Sequence, residues 1–212
     1  MINVLLVDDH ELVRVGVRRL LSDTRDIIVY AEADSGEAAI EAVRNCMPDV
    51  ILMDVSMPGM GGLEATRRLV KVYPDIKVIA LTVHANDPFP SQLLKAGAMG
   101  YLTKGCSLDE VVGAIRQAVM GKSYISPDIA QSLALSLLPG NDSPIGRLSR
   151  RELQVMMMLV QGNKLANISE QLCLSPKTVS TYRYRLYDKL SVRTDAELTR
   201  LAIHYGMLDD MS

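Results

Sequence analysis

The sequence predicts two domains: an α/β domain built on a doubly wound, five-stranded parallel sheet, followed by a small all-α helix-turn-helix domain. Short continuous apolar runs recur at Val4-Leu5-Leu6-Val7, Ile27 to Ala31, Val50-Ile51-Leu52-Met53, Val78-Ile79-Ala80-Leu81 and Gly100-Tyr101-Leu102-Thr103. Runs that are apolar throughout, rather than alternating, belong to strands buried on both faces. The intervals between them are long enough for crossover helices, which makes the sheet parallel. Beyond Leu148 the pattern changes to helices only, and this predicts the second domain.

In chain order, the first strand lies between Ile2 and Val7 and the second over Ile27 to Ala31. Helix-like stretches follow at Glu37 to Asn45, Leu63 to Tyr73 and Pro90 to Ala96, and a closing helix is expected at Leu108 to Met120. The periodicity stops around Pro139-Gly140-Asn141-Asp142-Ser143-Pro144, where Pro, Gly and Asx residues mark a linker. These signals divide the chain into a domain over 1 to 121, a helical or flexible linker over 122 to 145, and a domain over 146 to 212. Ser149 followed by Glu152 is a capping box that opens a helix through Val160, with Gly162 placed to end it. A short helix at Leu165 to Leu172 comes next. Ser175-Pro176 then gives an N-cap followed by proline at the first helical position, opening a longer helix to Leu190.

Charge follows the same division. Residues 1 to 121 hold 12 Lys and Arg against 16 Asp and Glu, whereas residues 146 to 212 hold 10 against 7. A net positive rear domain behind an acidic front points to a nucleic acid partner for the rear alone. Cys46, Cys106 and Cys173 have no metal-ligand spacing and read as reduced thiols. The chain starts directly on its first strand and has no apolar stretch of the ~18 residues that span a bilayer, so a cytoplasmic location is expected.

Asp8, Asp9, Asp54, Thr82 and Lys104 each end or directly follow an apolar run, and in open parallel sheets ligands sit at the carboxyl ends of the strands. Any one of these residues is as readily a turn former or helix N-cap; five on one edge form a site. Three carboxylates in one place are costly without a cation. Magnesium suits them, since it needs only a few protein oxygens beside water and a phosphate. The expected ligands are Asp9, Asp54 and the Ser56 backbone carbonyl, with Asp8 acting through water. Asp54 can accept a phosphoryl group covalently, Lys104 can hold a phosphate oxygen and the Thr82 hydroxyl can donate to another.

Asp8-Asp9, Asp54 with Met57-Pro58-Gly59-Met60-Gly61-Gly62, Thr82 and Lys104 resemble the receiver domain of two-component response regulators over about residues 1 to 121. The resemblance implies a flavodoxin-like fold, a histidine kinase as phosphodonor, Asp54 as acceptor and magnesium as cofactor. It also implies a switch formed by Thr82 and Tyr101; Tyr101 reads equally well as strand filling. Gly105 stands where many receivers have proline. A phosphatase of the haloacid dehalogenase type also uses a strand-terminal Asp, but two residues beyond Asp54 it needs a general acid where this chain has Ser56. No enzymatic turnover is therefore expected beyond the protein's own phosphorylation and slow dephosphorylation. His10 reads as a loop residue beside the site, His84 and His204 as structural.

In the rear domain Val179, Tyr182, Leu186 and Leu190 are spaced to face inward, leaving Lys177, Ser180, Thr181 and Tyr184 outward with Arg183 and Arg185 flanking. Leu148-Ser149-Arg150-Arg151-Glu152, Gly162, Ile168-Ser169-Glu170-Gln171-Leu172 and Leu174-Ser175-Pro176-Lys177-Thr178-Val179 resemble the LuxR-type domain of NarL/FixJ response regulators over about 146 to 208. This implies double-stranded DNA as a partner. Ser180, Thr181 and Tyr184 are expected near base edges, and Lys177, Arg183 and Arg185 near phosphates. The resemblance also implies a homodimer on DNA, paired through the helix at Asp195 to His204; Leu198, Leu201, Ala202 and Tyr205 either form that seam or pack on their own domain. Leu165-Ala166-Asn167 departs from the family's commoner Asn-Lys-Glu.

Within the family, Asp87-Pro88-Phe89-Pro90, Lys104-Gly105 and Thr181-Tyr182-Arg183-Tyr184-Arg185-Leu186 are similar to the GacA/UvrY group. That likeness implies a hybrid, GacS/BarA-like sensor kinase and control of small regulatory RNA genes. The expected protein is a phosphorylation-controlled transcription regulator in which phosphate on Asp54 releases or dimerises the DNA-binding domain. The alternative is a receiver that serves only as a fixed dimerisation module.

Overall fold

A computed structural model describes residues 1–82, 90–136, 144–172 and 174–205. Expectations for His84, Asp87 to Phe89, the Pro139 to Ser143 segment, Cys173 and the chain after Tyr205 lie outside the described residues. Two compact units are present, the first running to Leu133 and the second from Ala134.

The first unit alternates strand and helix: β1 Ile2–Val7, α1 Glu11–Ser22, β2 Ile27–Ala33, α2 Gly36–Asn45, β3 Val50–Asp54, α3 Gly61–Val72, β4 Lys77–Thr82, α4 Pro90–Lys95, β5 Gly100–Thr103, α5 Leu108–Val119, then β6 Tyr124–Ile125 and, as far as Leu133, α6 Pro127–Ser136. All strand pairs are parallel, in the order β2-β1-β3-β4-β5-β6. Among the described residues the sheet thus has six strands where the sequence predicts five. The addition is too short to show periodicity, and it is held by backbone bonds: Tyr124 N–H donates to the Met99 carbonyl and Ser126 N–H to that of Tyr101. Tyr124 to Leu133, assigned from the sequence to the linker, therefore belong to the first unit.

The strand sequences are apolar throughout because both faces are covered. Val4, Leu6, Val50, Leu52, Ile79, Leu81 and Leu102 pack with Leu21 of α1 and Val112 and Ile115 of α5. Alternate residues Leu5, Val7, Ile51, Met53 and Val78 pack on the opposite face with Ala39 and Val43 of α2 and Ala65 and Leu69 of α3. Period-two alternation sends successive side chains to opposite faces, and both faces are dry. Ser35 caps α2 by accepting from Ala38 N–H, and Ser107 and Glu110 form a capping box on α5.

Among the described residues the second unit holds a 3₁₀ turn at Pro144–Arg147 and four helices: α7 Arg150–Val160, α8 Leu165–Gln171, α9 Pro176–Leu190 and α10 Asp195–His204. The Ser149 and Glu152 capping box is present. Gly162 takes φ +81°, a left-handed conformation that suits glycine after a helix end. Glu152 is buried, 2.7 Å from Lys189 Nζ, and so ties the start of α7 to the end of α9. Burial alone would raise its pKa, but hydrogen bonds from Lys189 and Ser149 hold it below the ordinary value. Among the described residues no helix is long and apolar enough to cross a membrane.

Gly62 sets how closely α3 approaches the end of β3. A Cβ there would lie 1.9 Å from the Asp54 carbonyl oxygen, which is backbone and cannot swing away. Gly62→Ala is expected to destabilise the protein by about 3 kcal/mol, the upper range for overpacking, measured by urea denaturation. Unchanged stability would mean that α3 does not fix the strand end.

Candidate functional site

The carboxyl ends of β1, β3, β4 and β5 bring Asp8, Asp9, Asp54, Thr82 and Lys104 to one edge of the sheet. Asp54 ends β3 opposite Leu81, and Thr82 follows Leu81 opposite Thr103. The Lys104 amide donates to the Thr82 carbonyl, which joins the ends of the third and fourth side-chain-bearing strands. Asp8, Asp54 and Thr82 are buried, Asp9 is partly exposed, and Tyr101 is fully buried in β5.

Lys104 Nζ stands 2.7 Å from Asp8 Oδ2 and 3.1 Å from Asp54 Oδ2. The Ser56 amide donates to Asp54 Oδ1 at 3.1 Å, which places the Ser56 peptide beside the carboxylate. Burial pushes the Asp54 pKa up to about 6; Lys104 opposes the rise and the Asp8 charge reinforces it. Burial would lower the Lys104 pKa, but Asp54 and Asp8 outweigh it and hold the ammonium above its ordinary value.

Donor atoms of Asp8, Asp9, His10 and Asp54 lie within 4.8 Å of one another. Three carboxylates face one ammonium, so the cluster retains excess negative charge, and its oxygen atoms suit a hard divalent cation. His10 lies beside the site, where the sequence puts it: its Nδ1 is 3.2 Å from Asp8 Oδ1 and 3.0 Å from Asp9 Oδ1. Its only sequence signal is adjacency to the acidic pair. The sequence carries no signal for Arg14. That residue donates to the Asp8 carbonyl and pairs with Glu32, fixing the turn that carries both acids.

In the second unit Val179, Leu186 and Leu190 of α9 are buried and Tyr182 is half-buried, while Lys177, Thr181, Tyr184 and Arg185 are exposed and Ser180 is half-buried. Tyr184 is 71 % exposed on the outer face. Thr181 donates its hydroxyl back to the Lys177 carbonyl. Arg183 is half-buried, and its Nε and a terminal nitrogen both donate to the Asp195 carboxylate. Leu198 and Ala202 of α10 are fully buried, as the second alternative, packing on their own domain, would have them. Leu201 and Tyr205 are half-buried.

Two protein families match the chain. The response regulator receiver domain matches residues 4–116 and the luxR family of bacterial regulatory proteins matches residues 146–202. The response regulator GacA of Pseudomonas aeruginosa is 54% identical over 214 residues, covering 100% of both chains. The response regulator UvrY of Escherichia coli is 54% identical over 209 residues, covering 98% of this chain and 96% of the relative. Among solved structures, RcsB of Salmonella enterica serovar Typhimurium, bound to promoter P1flhDC with the phosphomimetic BeF3-, is similar in fold. The TM-score is 0.77 at 24% identity, over 94% of this chain and 97% of that one.

The folded protein holds the Asp54 proton to about pH 6, whereas an unfolded chain releases it near 3.8. In that window the native state binds more protons, so this group's contribution to stability is complete below about pH 3.8 and is lost as pH rises through 6. Asp54→Asn cannot ionise. In the presence of a chelator it is expected to raise stability at pH 7.5 by about 3 kcal/mol and to have little effect at pH 4, as read by denaturant unfolding. An equal effect at both pH values would contradict the buried charge.

Proposed function

The chain belongs to the response regulators that join a receiver to a LuxR-type DNA-binding domain, and on that premise we propose that Asp54 accepts a phosphoryl group from a sensor histidine kinase and thereby controls DNA binding by α9. The observation that carries this reading is the convergence of Asp54 with Lys104, Asp8 and Asp9 at the sheet edge.

The acceptor step is a displacement at phosphorus. An oxygen of ionised Asp54 forms the new P–O bond, the bond from phosphorus to the donor's imidazole nitrogen breaks, and the leaving nitrogen keeps the electron pair. Lys104, 3.1 Å from Asp54 Oδ2, is placed to hold a phosphoryl oxygen. Thr82, at the next strand end, is placed to donate its hydroxyl to another. Magnesium, held by Asp9, Asp54 and the Ser56 carbonyl with Asp8 acting through water, would neutralise the carboxylates and the developing phosphoryl charge. The Ser56 side chain offers no general acid, which supports a protein that loses its phosphate slowly and turns over no external substrate.

Phosphorylation repositions Thr82 and Tyr101 and shifts the population toward a form whose DNA-binding domain is released or dimerised. Thr181, Ser180 and Tyr184 then read base edges, with Lys177 and Arg185 on phosphates. The identity to GacA and UvrY over nearly the whole chain supports a hybrid, GacS/BarA-like kinase and promoters of small regulatory RNA genes as targets. A cytoplasmic location fits these partners.

With magnesium and acetyl phosphate, the wild type is expected to gain one hydroxylamine-labile phosphoryl group per chain and Asp54→Asn none. Lys104→Ala is expected to slow the gain roughly a hundredfold, followed by mass spectrometry or phosphate-affinity gels. Rapid multiple turnover of acetyl phosphate would instead favour a phosphoaspartate enzyme.

A further inference from the structure

Arg183 was expected on DNA phosphates, yet the structure gives it another partner. Its Nε donates to Asp195 Oδ1 at 2.9 Å and a terminal nitrogen donates to Asp195 Oδ2, a fork-to-fork pairing that fixes both groups in one plane. The Tyr187 hydroxyl lies 2.8 Å from Arg183 Nε and donates to Asp195 Oδ1 at 2.7 Å. The guanidinium carbon also stands 5.4 Å from the Tyr187 ring centroid. Tyr184, exposed on the reading face, stands roughly perpendicular to the Tyr187 ring with centroids 6.5 Å apart.

Helix α9 packs its backbone on α7 and α8, and α10 packs on α7. Buried Val179, Leu186 and Leu190 anchor one stripe of α9, and Lys189 near its end is tied to Glu152 of α7. The Arg183 and Tyr187 flank is gripped by Asp195, in the first turn of α10. An ion pair with this much exposure adds little to stability, whereas a planar bidentate pairing fixes orientation strongly.

We propose that Asp195 is a positioning residue for DNA reading: through Arg183 and Tyr187 it fixes the orientation of α9, and with it the placement of Tyr184 and Thr181 against base edges. This rests on the assignment of α9 as the DNA-reading helix. Arg183 is then a fastener within the domain and adds nothing to the count of phosphates neutralised.

The test uses the full chain with magnesium and beryllofluoride, a duplex selected by the wild type from a random-sequence pool, and a scrambled duplex of equal length. Anisotropy is measured across a salt series. Asp195→Asn and Arg183→Lys are each expected to weaken binding to the selected duplex about tenfold, the size of one lost base contact. Binding to the scrambled duplex and the salt slope should stay unchanged, and the double variant should be no worse than either single one. Asp195→Glu, which keeps the charge, should recover part of the loss, and Tyr187→Phe, which keeps the ring, should lose less.

If Arg183→Gln instead flattens the salt slope by about 0.9 and weakens both duplexes alike, Arg183 is a phosphate contact and the proposal is overturned. Unchanged discrimination in Arg183→Lys and Tyr187→Phe overturns it too, whatever Asp195→Asn does to folding. A wild type that does not prefer its selected duplex would overturn the DNA-reading assignment itself, and the clamp with it, an outcome visible before any variant is compared.

Discussion

Excess negative charge at one edge of the sheet is the constraint on which the rest of the first unit depends. Asp8 and Asp54 are buried, Asp9 stands beside them, and Lys104 supplies the one ammonium ion-paired to that cluster among the described residues. Burying ionised carboxylates is unfavourable unless opposite charge or hydrogen bonds compensate. Here compensation is partial, and the raised pKa of Asp54 is its signature. A site under this electrostatic load favours whatever brings positive charge to it, and a phosphoryl group arriving with a divalent cation changes the balance of charge more than any side-chain movement could. The same feature that costs stability thus makes the site responsive.

The scaffold holds the acids in place through backbone geometry. Parallel register sets Asp54 opposite Leu81 and Thr82 opposite Thr103, so the functional ends of adjacent strands cannot drift independently. The close approach at Gly62 packs the first turn of α3 against the acceptor's own carbonyl. At the far edge, β6 bonds to the Tyr101 backbone before the chain enters α6, so the segment leading onward is built against the expected switch residue. In the helical unit, the buried Glu152 and Lys189 pair and the Arg183 and Asp195 pair fix α9 from two sides.

Much of this was legible in the sequence because it rests on local patterns. Continuous apolar runs mark strands buried on both faces, and Ser149, Glu152, Ser175 and Pro176 mark helix starts by chemistry confined to a few residues. The acidic site was legible because strand ends converge in any parallel sheet, and that argument needs no distances. Less was legible where a long-range partner decides. Two residues of β6 carry no periodicity and exist by pairing with β5. Arg183 reads as one more cation on a basic helix until Asp195, 12 residues away, is seen to hold it. Leu198 and Ala202 have the apolar spacing of either a seam or a core, and only burial separates the two.

The central claim is that the state of Asp54 sets DNA affinity. Its most direct test is fluorescence anisotropy on operator-length duplex at fixed salt, with magnesium, with and without beryllofluoride, for wild type and Asp54→Ala. The account predicts that the analogue tightens binding by the wild type and leaves the variant unchanged. Binding by both proteins with no response in either would contradict it, and would make the receiver a fixed scaffold for the DNA-binding domain.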